Sequence, residues 1–135
     1  MVWSQTYPGH KVMVPAARAF VRAMLNGVPR TDDAELVAAE LVANSLRHTP
    51  SGQAGGSFEV SVSVRRGWAR IAVSDEGAGD WRPCADRPAD DEEYGRGLLI
   101  IEAYADKVGH DVGGRGQTMW AEFTWPDEDA SWWGP

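Results

Sequence analysis

Cysteine is almost missing. Cys84 is the only one in 135 residues, so no intrachain disulfide can close and no thiolate cluster can hold a metal. A reducing cytoplasm is the expected setting. Long apolar runs are also missing: no stretch approaches the roughly 18 residues that a bilayer span needs, and the N-terminus lacks a basic segment followed by an apolar run. The chain is therefore expected to stay soluble where it is made, with no membrane partner. Positive charge is scarce, with 13 Lys and Arg against 20 Asp and Glu, a net charge of -7, and no basic stripe along the sequence. Direct nucleic-acid binding is not expected. A nucleotide is still compatible, because backbone amides, helix N-termini and a bound cation can hold a few phosphates locally.

What is present suffices for one core. The hydrophobic fraction of 43% in 135 residues supports one folded domain over residues 1–135 and leaves too little chain for two. Residues 4–7 suit a short strand before Pro8-Gly9. Pro15 suits a first helical turn, and Ala17, Phe20, Val21, Met24 and Leu25 recur at helical spacing until Gly27, which favours a left-handed stop. A second helix runs from Thr31 or Asp32 to about His48, with Asp32 and Glu35 spaced as a capping box. Phe58, Val60, Val62 and Val64 alternate with polar residues, as do Ala69, Ile71 and Val73, and Arg66-Gly67 between them predicts an antiparallel hairpin. An acidic, Pro-containing connection leads to a third helix from Gly95 to about Ala105. A strand near Val108 and a last strand over 117–125 follow, and 126–135 is an acidic, Trp-containing tail. This order predicts an α+β two-layer sandwich, its sheet mixed but mostly antiparallel, with helices on one face.

Four features carry chemistry. Glu40 and Asn44 stand one helical turn apart beside the arc of Val37, Leu41, Val42 and Ser45, and can reach one ligand together; a solvated Glu beside a packed Asn is the plain alternative. Asp75 falls at a strand exit before Glu76-Gly77-Ala78-Gly79, which sets an acceptor beside backbone that a ligand can approach, though tight turns have the same composition. Gly95-Arg96-Gly97 at a helix start offers free N–H groups to a phosphate, or simply starts the helix. Thr118 can add a hydroxyl, although most strand threonines bind nothing.

In this order the four features resemble the GHKL ATPases. Glu40-Leu41-Val42-Ala43-Asn44 is similar to the N box of that family, Asp75 to Gly79 to its first glycine box, Gly95-Arg96-Gly97-Leu98 to its second, and Thr118 to its adenine-side threonine. The resemblance covers about residues 8–125 and implies a Bergerat-type ATP-binding fold. It implies Glu40 as general base, Asn44 in the shell of a Mg²⁺ ion, Asp75 as the adenine reader, and ATP contacts from Asn44, His48, Asp75, Gly77, Gly79, Gly95, Arg96, Gly97, Leu98 and Thr118.

Within the family, residues 40–48 and 95–106 are most similar to stand-alone anti-sigma-factor serine kinases, above all an actinobacterial regulatory branch. The partner so implied is an anti-anti-sigma protein, with a sigma factor as a further candidate. A non-catalytic ATP-dependent switch and an interaction domain without nucleotide are the alternatives. No helix pair carrying a phosphoacceptor histidine is evident, as a sensor kinase would need. No second domain offers the phosphate-contacting lysine of gyrase-like relatives, the only lysines being Lys11 and Lys107. The acidic connection from Asp80 to Tyr94 departs from longer, less acidic lids. An exposed edge at residues 4–7 would permit a homodimer, and exposed tryptophans would suit a protein interface.

Overall fold

The computed structural model describes residues 1–48, 56–75, 99–112 and 116–126. Five strands, β1 (Val2–Pro8), β2 (Ser57–Arg65), β3 (Trp68–Asp75), β4 (Lys107–Val112) and β5 (Gln117–Thr124), form one sheet in the order β1-β2-β3-β5-β4. The sheet expected to be mostly antiparallel is antiparallel at every described pairing. The helices are α1 (Val14–Met24), α2 (Thr31–His48) and the described part of α3 at residues 99–104.

Period-two patterning decides which face of the sheet is covered. Phe58, Val60, Val62 and Val64 of β2, Ala69, Ile71 and Val73 of β3, and Ala121 and Phe123 of β5 are all buried on one side. Against them pack Ala17, Val21 and Leu25 of α1, Ala34, Val37, Ala38, Leu41 and Val42 of α2, and Ile101 of α3. Each large side chain fully buried in this way stabilises the fold by about 1.5–3 kcal/mol. The result is the two-layer arrangement read from the sequence. β1 and β4 are the sheet edges, so residues 4–7 do lie on an edge strand, antiparallel to β2.

Local devices shape the elements. Gly27 closes α1 with φ 87°, the left-handed stop foreseen for it. The proposed Asp32–Glu35 capping box does not form. Both carboxylates turn outward, Asp32 to Arg22 and Glu35 to Arg18 and Arg22, because two cations on α1 face them across the helix pair. The Thr31 hydroxyl instead donates back to the Leu25 and Val28 carbonyls, each at 2.6 Å. Arg30 ties the helix layer to the end of the sheet. It donates to Asp33 Oδ2, to Asp106 Oδ2, and to the carbonyls of Tyr104 and Thr124.

The other sheet face carries small hydroxyl residues and two half-buried tryptophans. Arg65 lies over the Trp68 ring at 4.2 Å and Arg70 over Trp120 at 4.5 Å. The Trp120 indole also lies across β4 at Gly109, where an added Cβ would fall 2.0 Å from Trp120 Cζ2. Any side chain there would have to displace the ring.

Candidate functional site

The site forms where the C-terminal half of α2 crosses the ends of β3 and β5. Along α2, positions 37, 41, 44 and 45 follow one another at helical spacing onto the sheet-facing arc. Val37 and Leu41 are fully buried, and Asn44 and Ser45 are 5% and 4% exposed. Asn44 is thus inside the packed layer, not at its margin. Glu40, one turn earlier, is half-buried and makes no hydrogen bond or ion pair to a described residue.

On β3 the inward parity that buries Ala69, Ile71 and Val73 brings Asp75 to the helix side of the sheet. There Ser45 Oγ donates to Asp75 Oδ2 at 2.9 Å, joining α2 to β3. A hydrogen bond to a carboxylate is worth more than a neutral one and also fixes the direction in which the acid points. Asn44 Nδ2 lies 2.9 Å from Met119 Sδ, a weak acceptor. This directs the amide nitrogen toward β5 and leaves Oδ1 with no hydrogen bond to a described residue.

A small pocket joins these groups. Leu41, Asn44, Ser45, Val73, Asp75, His110, Gln117 and Met119 line it, and its enclosed volume is about 10 Å³. That is room for one water and not for a planar base. A wider groove of about 550 Å³, lined by Gly9, His10, Lys11, Val14, Ala43, Leu46 and Arg47, runs along the outer side of the same helix. It contains no buried polar side chain of the kind Asn44, Ser45 and Gln117 supply to the small pocket.

The structure therefore brings Asn44 and Asp75 together and sets Glu40 one turn away on the same helix. It does not bring Thr118 to them. Thr118 is on the opposite face of the sheet, its hydroxyl 2.8 Å from that of Ser74. The reason is strand parity: Ala121 and Phe123 point inward, so 117 and 119 do as well and 118 cannot. In place of Thr118, Gln117 sits directly opposite Asp75 in the β3–β5 register, 5% exposed, with its Oε1 2.8 Å from His110 Nε2. The sequence reading passed over Gln117 and His110. The alternation of Met119, Ala121 and Phe123 was the signal that could have found Gln117. Gly77, Gly79, Gly95, Arg96, Gly97 and Leu98 lie outside the described residues, as does the His48 side chain.

A five-stranded antiparallel sheet thus packs against helices on one face, with a buried Asn on the second helix and an Asp at a strand exit lining one pocket. Residues 8–123 match the Histidine kinase-like ATPase domain family, and the chain belongs to that family of ATP-binding domains. Its fold is similar to the histidine kinase domain of a blue-light activated histidine kinase from Erythrobacter litoralis. The TM-score is 0.52 at 14% sequence identity, covering 84% of this chain. The chain spans 60% of that solved chain's length. Comparison with curated proteins gives no significant match. Among the described residues no helix is long and apolar enough to cross a membrane, and no three His, Cys, Asp or Glu side chains cluster as a metal site.

Proposed function

We propose that this chain is an anti-sigma-type serine/threonine kinase that uses Mg-ATP to phosphorylate an anti-anti-sigma protein. The observation that carries the ATP part is the convergence of buried Asn44 on α2 and half-buried Asp75 on β3 on one pocket. A buried amide is costly unless a ligand or partner meets it, and the Asn44 Oδ1 has no hydrogen bond to a described residue. Asp75 is suited to accept from the exocyclic amine of adenine, directly or through the one water for which the pocket has room. The base itself would lie at the pocket mouth.

The donor set suits Mg²⁺ as well. With Asn44 Nδ2 turned to Met119, Oδ1 is an oxygen ligand of the hard type this ion takes, the remaining ligands being phosphate oxygens and water. When bound, the ion would neutralise phosphate charge. The role of base is proposed for Glu40. Its carboxylate would take the proton of a partner serine as the serine oxygen bonds to the γ-phosphorus and ADP leaves. Support for this role is its position one turn from Asn44 and its lack of any competing partner among the described residues. The remaining phosphate contacts are assigned to Gly77, Gly79, Gly95, Arg96, Gly97, Leu98 and His48, and the reaction to the cytoplasm.

Titration calorimetry of the purified chain with Mg-ATP tests the binding step, and labelled ATP with candidate partners tests transfer. Saturable binding that Asp75→Asn weakens at least tenfold is expected. Binding without transfer to any partner would replace the kinase reading with that of an ATP-dependent switch.

A further inference from the structure

Gln117 and His110 form a pair that neither the family match nor the sequence motifs explain. Gln117 is 5% exposed, lines the pocket, and stands opposite Asp75 across β3 and β5. Among the described residues, its side chain bonds His110, with Oε1 2.8 Å from Nε2. A carbonyl oxygen can only accept, so His110 Nε2 carries the proton and donates. With Oε1 committed to His110, the donor end, Nε2, is the end Gln117 has left to offer the pocket.

The pocket wall then presents two adjacent groups of opposite type, the acceptor Asp75 and the donor Gln117. The Watson–Crick edge of adenine carries the complement, a donor at the 6-amino group beside an acceptor at N1. Hypoxanthine and guanine carry the reverse, an acceptor at O6 beside a donor at N1. They would set oxygen against carboxylate and N–H against N–H.

We propose that Gln117 is a base-reading residue, held in its donor orientation by His110, and that with Asp75 it makes the site select adenine over 6-oxopurines. This rests on the ATP-binding reading and adds a residue and a selectivity to it. His110 is a positioning residue, acting through the Gln117 amide. Rejection is the stronger half of the effect, because a buried donor or acceptor facing its own kind leaves both unsatisfied.

The test is calorimetric titration of the full chain with ATP and, separately, inosine triphosphate, both with Mg²⁺. The variants are Gln117→Leu, Gln117→Glu and His110→Phe, with circular dichroism melts to establish folding. The wild-type chain is expected to bind ATP at least a hundredfold more tightly than inosine triphosphate. Gln117→Leu should lower that ratio about tenfold, and Gln117→Glu further, since its carboxylate would accept from the inosine N1–H. His110→Phe should lower the ratio with a smaller change in ATP affinity. A packing defect alone would weaken both nucleotides alike and leave the ratio where it was. Wild-type discrimination that survives all folded variants overturns the assignment of Gln117 and leaves ATP binding intact. Absence of ATP binding to the wild-type chain overturns both.

Discussion

Ser45 on α2 and Asp75 at the end of β3 are 30 residues apart in sequence and 2.9 Å apart in space, the hydroxyl donating to Oδ2. One hydrogen bond thus sets the position of the acid relative to the helix that carries Glu40 and Asn44. Hydrogen bonds to charged groups contribute about 1.5–3 kcal/mol, and here the larger consequence is orientation. Ser45→Ala is expected to lower ATP affinity about tenfold while the chain stays folded, since tenfold corresponds to about 1.4 kcal/mol. Calorimetry on the variant checks this. Unchanged affinity would mean that Asp75 keeps its position without this hydrogen bond.

Glu40 and Asn44 should separate binding from chemistry. Asn44 is buried in the pocket wall, whereas Glu40 stands outside it. Asn44→Ala is expected to weaken Mg-ATP binding tenfold or more. Glu40→Ala is expected to leave the dissociation constant within about threefold while lowering phosphate transfer about 100-fold or more, the usual scale of a lost general base. Transfer rates measured at saturating ATP distinguish the two. Transfer that survives Glu40→Ala would remove Glu40 from the mechanism.

Acid should loosen the far end of the sheet. Burial alone would push the Asp106 carboxyl up, but the Thr124 N–H, the Arg30 guanidinium and the Thr124 hydroxyl outweigh it and hold the group below its ordinary range. A carboxylate depressed in the folded state contributes stability above its unfolded value, about 3.9, and loses it as pH falls through the folded value. Asp106→Asn should therefore be less stable than wild type at pH 7, and the difference should begin to shrink as pH falls past about 4 and close only below the folded value. Because the Asp106 side chain is 42% exposed, solvent screening keeps the effect modest. Urea unfolding at several pH values reads it. A gap that does not shrink as pH falls below about 4 would assign the effect to packing.

Gly109 should resist substitution. Its missing Cβ leaves room for the Trp120 indole, and Trp120 in turn holds Arg70 at 4.5 Å. Gly109→Ala is expected to cost about 1–3 kcal/mol, the usual range for overpacking. Chemical denaturation of Gly109→Ala, Trp120→Leu and the double variant forms a cycle. The alanine should cost less once the indole is gone. Additive effects would mean that the ring does not depend on the glycine.

Much of the architecture was legible because it is written in local periodicity. Val37, Leu41 and Ser45 at helical spacing gave the inner arc of α2, and Phe58 to Val64 with Ala69 to Val73 gave the β2–β3 hairpin around Arg66-Gly67. Gly27 gave the end of α1. Asp32 with Glu35 misled, because a capping-box spacing contains no information about Arg18 and Arg22 on the neighbouring helix. Thr118 misled for a different reason: likeness to a motif contains no information about strand parity, which Ala121 and Phe123 set.

By itself the sequence determined the elements, the side of each strand that would be buried, and the presence of an Asn on a helix and an Asp at a strand exit in the order of an ATP-binding family. Only the tertiary structure decided that β3 pairs with β5 and sets Gln117 opposite Asp75, and that Ser45 reaches that acid. It also decided that Asn44 is buried while Glu40 is not. Hydrophobic spacing states which face an element covers, but strand order and register follow from how all faces pack together. Contacts between residues 30 or 42 positions apart exist only once that packing is complete.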